Sequence, residues 1–291
     1  MIELRAGAAR ALVGPRHGAA LAALDVAGRP VLRPLRAGGE ADPFAWAMNI
    51  LAPFSNRVSV PVLVDGKPVR LTPNLAGEPF PIHGDAFQRP WQVQGHAPDT
   101  VCLDLPDGAF GPLRHAARLT YRLSPDSLYA SLVLRNRADG PLPFGGGFHP
   151  WFPRSDSTRI AFRANGWWPE NDRHLPRTEA PEPIPDALDY RVLRPLPDGW
   201  INAGFDGWTG SALIRQGPEA MSCTLEATGL STLLLYSPGS AADFFCLEPV
   251  SHPVDALALP GQPGLRFLLP GETMTFAMTL TWRSVNADPS A

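Results

Sequence analysis

Strand-like segments separated by turn residues recur along the whole chain and leave little room for helices. The segment GETMTFAMTLTWR near the C-terminus alternates polar and apolar residues, the pattern of a strand with one buried face. Two further segments predict hairpins. VPVLVDGKPVRL places Asp65 and Gly66 between extended runs, and HAARLTYRLSPDSLYASLVLRN places Pro125 and Asp126 in the same way. Only residues 44–50 suit a short helix, so we predict an all-β fold.

Proline supports this prediction because it is abundant and falls mostly between the strand candidates. The chain has 34 prolines among 291 residues, roughly twice the usual frequency of about 5%, and proline ends the hydrogen-bond ladders of strands. Residues 169–198 are rich in proline and charge, so we expect a long ordered connection over the surface or at the rim of a cleft. No repeat or linker composition divides the sequence, and we predict one domain over residues 1–291.

Charge and cysteine content narrow the range of partners. The net charge of −3 lacks the basic excess that nucleic acid or an anionic membrane surface favours, so we expect neither partner. Cys102, Cys223 and Cys246 lie far apart in apolar stretches, which predicts reduced thiols rather than a disulfide framework or paired zinc ligands. Arginines interrupt every apolar run at the N-terminus, so we expect no signal peptide and a cytoplasmic location.

Three of the seven histidines have distinctive surroundings. His83 precedes a glycine in PFPIHGDAFQRPW, and His149 follows three glycines and is enclosed by aromatic residues and Pro150 in PFGGGFHPWFPR. His252 lies four residues after Glu248, but Pro249 and Pro253 argue against a helix and so against a helical zinc motif. We therefore expect no metal. The other histidines are predicted at the surface: His17, His96, His115 and His174.

A carboxylate and an arginine also stand out by position. Glu248 ends the apolar run ADFFCL and precedes a proline, so it is expected at the mouth of a strand, where partial burial would raise its pKa toward the working range of a base. An exposed strand-end glutamate is the alternative. Asn56 and Arg57 come just before a strand in NILAPFSNRV, a position that also suits a capping asparagine and a solvent-facing arginine.

The order of these motifs resembles the aldose 1-epimerase family, the galactose mutarotases. The succession is APFSNRV, IHGDAFQRPWQV, GGGFHPWF, INAGFDGWTG and FFCLEPVSHPVDAL, and the resemblance runs from Asn49 to the last strand. It implies a large galactose-mutarotase-like β-sandwich, also called a supersandwich, with an open cleft for a monosaccharide. It also implies a reaction that needs no metal or coenzyme.

The resemblance further implies a role for each residue. His149 would be the general acid that protonates the ring oxygen of the sugar, and Glu248 the general base that takes the proton of the anomeric hydroxyl. Arg57 and His83 match residues that bind sugar hydroxyls, and Trp151 would offer an apolar face near the ring. These residue types suit ring opening, which requires one group to give a proton and another to accept one.

One binding motif departs from the family pattern. Family members commonly carry an aspartate ahead of FxGW, whereas this chain has Asn202 in INAGFDGW. An asparagine still accepts and donates hydrogen bonds, so Asn202 is predicted to bind the sugar together with Asn56. Asp206 would share a strand face with Asn202 and is an alternative source of the carboxylate.

The implied activity is interconversion of the α and β anomers of a free aldose through ring opening. A hexose-6-phosphate epimerase of the same fold is an alternative, with Arg89, Arg154 and Arg173 as candidate phosphate ligands. A non-catalytic carbohydrate-binding protein is another, because a fold does not fix an activity. A glycoside hydrolase is disfavoured because no second carboxylate lies in a motif comparable to that of Glu248. The assembly is expected to be a monomer or a homodimer.

Overall fold

The computed structural model describes residues 1–282 and consists almost entirely of β-strands. In chain order these are β1 (Ile2–Ala6), β2 (Ala9–Gly14), β3 (Ala20–Val26), β4 (Arg29–Leu32), β5 (Met48–Leu51), β6 (Val62–Val64), β7 (Lys67–Val69), β8 (Gln92–Ala97), β9 (Thr100–Phe110), β10 (Leu113–Leu123), β11 (Ser127–Asn136), β12 (Leu142–Phe144), β13 (Gly147–Pro153), β14 (Arg159–Phe162), β15 (Gly166–Trp168), β16 (Arg194–Pro195), β17 (Ile201–Asp206), β18 (Ser211–Arg215), β19 (Cys223–Thr228), β20 (Thr232–Ser237), β21 (Phe244–Val250), β22 (Arg266–Leu268) and β23 (Thr273–Trp282). Four short 3-10 helices span Pro43–Ala45, Ala86–Gln88, Asp186–Leu188 and Ala256–Ala258.

Two large antiparallel sheets contain most of the strands. The first sheet has ten strands in the order β1-β2-β3-β5-β13-β21-β20-β17-β15, with β4 paired to β3. The second sheet has nine strands in the order β16-β14-β18-β19-β23-β11-β10-β9-β8. Two small pairs, β6 with β7 and β12 with β22, lie outside them. Within residues 1–282 no helix has both the length and the apolar character to cross a membrane.

Both predicted hairpins are present, whereas the predicted helix is not. Asp65 and Gly66 have φ of 49° and 74°, as a two-residue turn between strands requires, and Leu123 pairs with Leu128 across the β10–β11 turn. Of residues 44–50, only the first two belong to a 3-10 helix, and strand β5 follows from Met48. That prediction is wrong because a short run of buried apolar residues has the same pattern in a buried strand as in a buried helix.

The two sheets share one hydrophobic core. Every second residue of β10, β11 and β23 is buried, and the apolar ones form a single cluster with apolar side chains of the first sheet. Because successive side chains of a strand point to opposite faces, the outer face of the second sheet is polar. Residues 283–291 of the predicted domain lie outside the described residues.

The central strands of the first sheet are buried on both faces. In β13, Phe148 and Phe152 belong to the shared core, so His149 and Trp151 point to the opposite face. Strand β21 repeats this arrangement, with its core residues alternating with Glu248. Loops cover this second face and leave an open cleft over it, which is where the candidate site lies.

Candidate active site

The cleft over β13 and β21 has a volume of about 580 Å³, within the size range of small-molecule sites. It collects residues from strands at its base and from loops at its rim. All seven predicted site residues line it: Asn56, Arg57, His83, His149, Trp151, Asn202 and Glu248. The lining also includes residues that sequence analysis did not single out: Arg33, Arg36, Phe44, Gly77, Glu78, Pro79, Ile82, Asp172, His174, Trp200, Tyr236 and Phe244.

Strand register brings His149 and Glu248 together at the base of the cleft. Gly147 pairs with Val250 and Trp151 with Cys246, so the residues midway between them lie opposite each other on one face. The Nε2 atom of His149 is 3.3 Å from the Oε1 atom of Glu248. Both side chains are buried, at 6% and 3% exposure. The strands thus present an imidazole and a carboxyl group as an adjacent pair.

Burial controls the proton on this pair. Burial raises the pKa of Glu248 to about 8, although the positive charge of Arg57 opposes that rise. Burial lowers the pKa of His149 well below its ordinary value, and His83 and Arg33 act in the same direction. Near neutral pH the pair therefore binds one proton, held chiefly by the carboxyl group. The other ring nitrogen and the other carboxyl oxygen, Nδ1 of His149 and Oε2 of Glu248, are buried and have no hydrogen-bond partner among the described residues.

Trp151 fixes the imidazole of His149. The two rings are stacked with centroids 3.9 Å apart and planes 6° apart, so His149 covers one face of the indole that the sequence suggested for the sugar. The exposed aromatic side chain in the cleft is Trp200, which is 52% accessible and packs edge-on against Tyr236. Sequence analysis missed Trp200 because it lies in the irregular segment DGW.

His83 is held as a neutral hydrogen-bond donor. The backbone N–H of Asn56 donates to Nδ1 of His83 over 3.0 Å, so the proton of the neutral ring lies on Nε2. Burial, with a smaller effect from Arg57, lowers the pKa of His83 to about 3, and the ring is uncharged at neutral pH. Its centroid is 5.2 Å from that of His149 in an edge-on arrangement. His83 therefore offers one N–H group next to the catalytic candidates.

Arg57 is oriented by a carboxylate that sequence analysis missed. Its Nε and Nη2 groups donate to Glu78 over 3.0 and 2.7 Å, and Nη1 donates to Oδ1 of Asn56 over 3.4 Å. Such two-point pairing fixes the plane of a guanidinium group. Arg57 is thus positioned in the cleft, rather than pointing to solvent as its position before a strand alone would suggest.

His252 and the three glycines shape the protein beneath these loops. His252 accepts a hydrogen bond from the Ser55 backbone N–H over 3.0 Å through Nε2, which fixes the segment that leads to Asn56. A Cβ atom added to Gly145 would lie 2.3 Å from the His252 ring, and one on Gly146 or Gly147 would lie 2.3 Å from a backbone carbonyl oxygen of a neighbouring segment. The glycines therefore permit close approach of the protein itself.

The side chain of Asn202 is hydrogen-bonded to the carboxylate of Glu170. The Nδ2 group of Asn202 donates to Oε2 of Glu170 over 2.6 Å, and Nε1 of Trp200 donates to Oε1 over 3.2 Å. No hydrogen bond within residues 1–282 engages Oδ1 of Asn202, so this atom can accept one from a ligand. Asp206, the sequence-based alternative, pairs with Gly166 at the far end of the strand and does not line the cleft.

Two histidines predicted at the surface have specific surroundings, and one of them is buried. His174 lines the cleft, and its Nδ1 atom is 2.9 Å from Oε2 of Glu170. His115 is fully buried and lies 3.5 Å from Asp85. The alternation in HAARLTYRL, which places His115 on the same strand face as buried Leu119, could have predicted its burial.

A metal is disfavoured by the chemistry of the nearest donor group. Potential ligand atoms of His149, Cys246 and Glu248 all lie within 4.8 Å of one another. Metals bind the thiolate form of cysteine, but burial raises the pKa of Cys246 well above its ordinary value. The thiol is therefore protonated at neutral pH, and the prediction that the site works without a metal stands as a prediction.

The arginines suggested for a phosphate are mostly outside the cleft. Arg154 donates to Ser237 and to the Pro197 carbonyl, and Arg89 donates to the Asp107 carbonyl. Neither of these arginines lines the cleft, whereas Arg173 does. Arg33 and Arg36 line it as well, although sequence analysis did not single them out.

Known proteins similar to this chain point to one family. The model of the family described as Aldose 1-epimerase matches residues 1–281. The Escherichia coli K12 protein YphB, described as uncharacterized, is 36% identical over 259 residues, which cover 86% of this chain and 88% of YphB.

Solved structures agree with the fold. An Escherichia coli K12 protein provisionally described as an aldose 1-epimerase has a TM-score of 0.90 and 33% identity, covering 97% of this chain and 98% of that protein. A galactose mutarotase-like protein from Clostridium acetobutylicum has a TM-score of 0.83 and 18% identity, covering 97% and 95%. The predicted galactose-mutarotase-like β-sandwich is confirmed. Since the family model matches nearly the whole chain, the protein belongs to the aldose 1-epimerase family.

Proposed function

We propose that the protein is a mutarotase, which interconverts the α and β anomers of an aldose through ring opening. The observation that supports this most is the buried pair of His149 and Glu248, 3.3 Å apart at the base of a cleft lined with hydroxyl-binding groups. A purely sugar-binding protein has no need of a buried carboxyl group whose pKa lies near 8, because an uncharged side chain would bind hydroxyls without that cost of burial.

The pair has the proton count that ring opening requires. In the proposed reaction, Glu248 removes the proton of the anomeric hydroxyl while His149 gives a proton to the ring oxygen, and the bond between the anomeric carbon and the ring oxygen breaks. The pair therefore holds one proton throughout, which is on His149 before the step and on Glu248 after it. After rotation about the first carbon–carbon bond of the open chain, the ring closes with the two roles exchanged.

In the empty site the proton favours Glu248, so it must reach His149 before a cyclic sugar reacts. The separation of 3.3 Å between Nε2 and Oε1 allows direct transfer after a small approach of the two atoms. Sugar hydroxyls that donate to the carboxylate would favour its charged form. Substrate binding would in this way create the imidazolium and carboxylate forms needed for ring opening.

The surrounding residues would hold the sugar. His83 supplies one N–H donor, Arg57 supplies a fixed cation, and Oδ1 of Asn202 supplies an acceptor. Asn56 orients both Arg57 and His83 through its side chain and backbone. The exposed ring of Trp200 is a suitable surface for the apolar face of a pyranose, since aromatic rings combine an apolar body with a polar edge.

The rate of anomer interconversion tests the proposal. Polarimetry or proton NMR on freshly dissolved α-glucose, α-galactose and a panel of pentoses should show acceleration of at least one sugar over the uncatalysed rate. Sugar binding with no acceleration of any member of a broad panel would instead make the chain a carbohydrate-binding protein on the same fold.

Chelators should leave the rate unchanged. The protein's own acid and base account for every proton transfer in the proposed reaction, so dialysis against EDTA should alter kcat/KM by less than twofold. The measurement is the mutarotation rate before and after dialysis. Loss of activity that added Zn²⁺ or Mn²⁺ restores would show that the group of His149, Cys246 and Glu248 binds a metal.

Asn202→Asp should lower activity, although it restores the residue type common in the family. A second carboxylate placed beside Glu170 would be repelled by it, and we expect KM to rise about tenfold, equivalent to about 1.4 kcal/mol. The double variant Glu170→Gln with Asn202→Asp should recover most of this loss, because the new amide can donate to the new carboxylate. Steady-state kinetics on wild type, the two single variants and the double variant test this expectation. It would be contradicted if the effects of the two single substitutions on KM added up in the double variant.

A further inference from the structure

A buried arginine lies beyond the catalytic pair without a carboxylate partner. Arg33 follows strand β4, and its backbone N–H donates to the Trp151 carbonyl over 2.8 Å. Its guanidinium group lies 5.7 Å from the centroid of the Trp151 ring and 4.8 Å from that of Phe244. Arg33 is therefore part of the base of the cleft, next to the indole that stacks on His149.

The charge of Arg33 is poorly compensated. The residue is 4% exposed, and within residues 1–282 its only side-chain hydrogen bonds run from Nη2 to the carbonyl oxygens of Phe44 and Trp46, over 2.9 and 3.2 Å. Its Nε group is buried without a partner, and no carboxylate of residues 1–282 forms an ion pair with it. A buried cation in this state is costly, and an anion that completes its hydrogen bonds recovers the cost.

Of the other arginines that line the cleft, Arg173 is exposed, and the remaining two are paired with carboxylates. Arg57 is paired at two points with Glu78, and Arg36 at the rim is paired with Asp42 over 3.1 Å. Arg33 alone among these three combines deep burial with unused donors. Arg36 adds positive charge at the rim of the cleft above it, which favours the entry of an anion.

The position of Arg33 fits one end of a sugar. The rings of Trp151 and His149 are stacked with centroids 3.9 Å apart, and the Arg33 guanidinium lies 5.7 Å from the centroid of the same indole. A pyranose whose ring oxygen contacts His149 would therefore direct a substituent remote from its anomeric carbon toward this guanidinium. A planar guanidinium suits two-point binding of carboxylate or phosphate oxygens.

We infer that Arg33 forms an anion subsite of the cleft, and that the preferred substrate is an aldose with an acidic group on a carbon remote from the anomeric centre. The inference rests on the proposed mutarotase function and specifies its substrate class. Carboxylate and phosphate share the chemistry that Arg33 recognises, and the test separates them.

The experiment compares kcat/KM for glucose, glucuronate and glucose 6-phosphate, and for the corresponding galactose series. Wild-type protein should prefer at least one anionic form over the neutral sugar by at least tenfold, and the preferred series identifies carboxylate or phosphate. Arg33→Gln should lower the anionic-to-neutral ratio at least tenfold. The matched control is Arg118→Gln, which removes the same charge from an exposed arginine of the second sheet that pairs with Asp104, and it should leave the ratio within twofold.

Folding and binding are followed separately from turnover. Because Arg33 is a buried charge with unused donors, Arg33→Gln should unfold at a temperature no lower than wild type, and Arg33→Lys should retain part of the preference. Isothermal calorimetry should show that the preferred anionic sugar binds wild type at least tenfold more tightly than Arg33→Gln.

The outcomes distinguish the two levels of the proposal. Interconversion of neutral sugars with no anionic preference, and an unchanged ratio in Arg33→Gln, would overturn the subsite and leave the mutarotase function standing. Arg33-dependent binding of an anionic sugar without interconversion of any sugar would overturn the mutarotase function and support the subsite. Absence of both interconversion and anion binding would overturn both.

Discussion

Glu248→Gln should lower kcat/KM for anomer interconversion by about 10²–10⁴-fold, the range that one general acid–base group contributes. The amide has nearly the same shape as the carboxyl group, but it cannot exchange a proton with His149 or with the anomeric hydroxyl. His149→Asn should cause a loss of similar size because it removes the other proton carrier. Polarimetry on the preferred sugar measures both, and Glu226→Gln, on the outer face of strand β19, is the matched control.

The same Glu248→Gln variant should be more stable than wild type in a pH-dependent way. The pKa of Glu248 is raised to about 8 in the folded protein, whereas in the unfolded chain it has the ordinary value of about 4.5. The stability contributed by the proton of Glu248 is therefore fully present below about pH 4.5 and is lost as the pH rises through 8. The melting temperature of Glu248→Gln should therefore exceed that of wild type increasingly between pH 5 and 8. Near wild-type turnover in this variant would refute the role of Glu248, whatever its stability.

The pH profile should show a steep alkaline limb. When the pair loses its single proton, neither partner can act as the acid, so kcat/KM should fall about tenfold per pH unit well above the pKa of about 8 of Glu248, and about 50-fold between pH 8 and 10. The acid limb should lie below the ordinary range of histidine, because burial lowers the pKa of His149.

Initial rates over pH 5–10, corrected for uncatalysed mutarotation at each pH, measure this profile. The residual rate of Glu248→Gln should lack the limb near pH 8, since the titrating carboxyl group is gone. A rate that rises through pH 8 would mean that the proton-free pair is the active form, and the proposed division of roles would be wrong.

Much of this site follows from local sequence. Alternation along GETMTFAMTLTWR and the turn residues of the two hairpins predict strands that the structure contains, and the order of the motifs indicates which residues meet in one cleft. Glycines next to His149 predict close packing, and the structure shows that neighbouring protein uses that space. These inferences are possible because the alternation of side chains along a strand and the space left by glycines can be read from a few consecutive residues.

The remaining features depend on contacts between distant segments. Glu170 lies in a proline-rich connection without a motif, yet it reaches Asn202 across 32 residues of sequence. Arg33 follows an ordinary strand, and only the fold shows that its guanidinium group is buried beside Trp151 without an acidic partner. Neither periodicity nor composition records which loop folds over which strand, so these partners became visible only with the structure.

The two-sided burial of β13 and β21 has a consequence for how such a protein can diversify. The proposed acid and base, His149 and Glu248, alternate with Phe148, Phe152 and other core residues on the same strands, so any change that moves these two side chains also disturbs the interior. Arg57 and Trp200, which we propose to contact the rest of the sugar, come instead from loops. Changes in the loops can therefore alter substrate preference, whereas packing of the core restricts changes in the proposed acid and base.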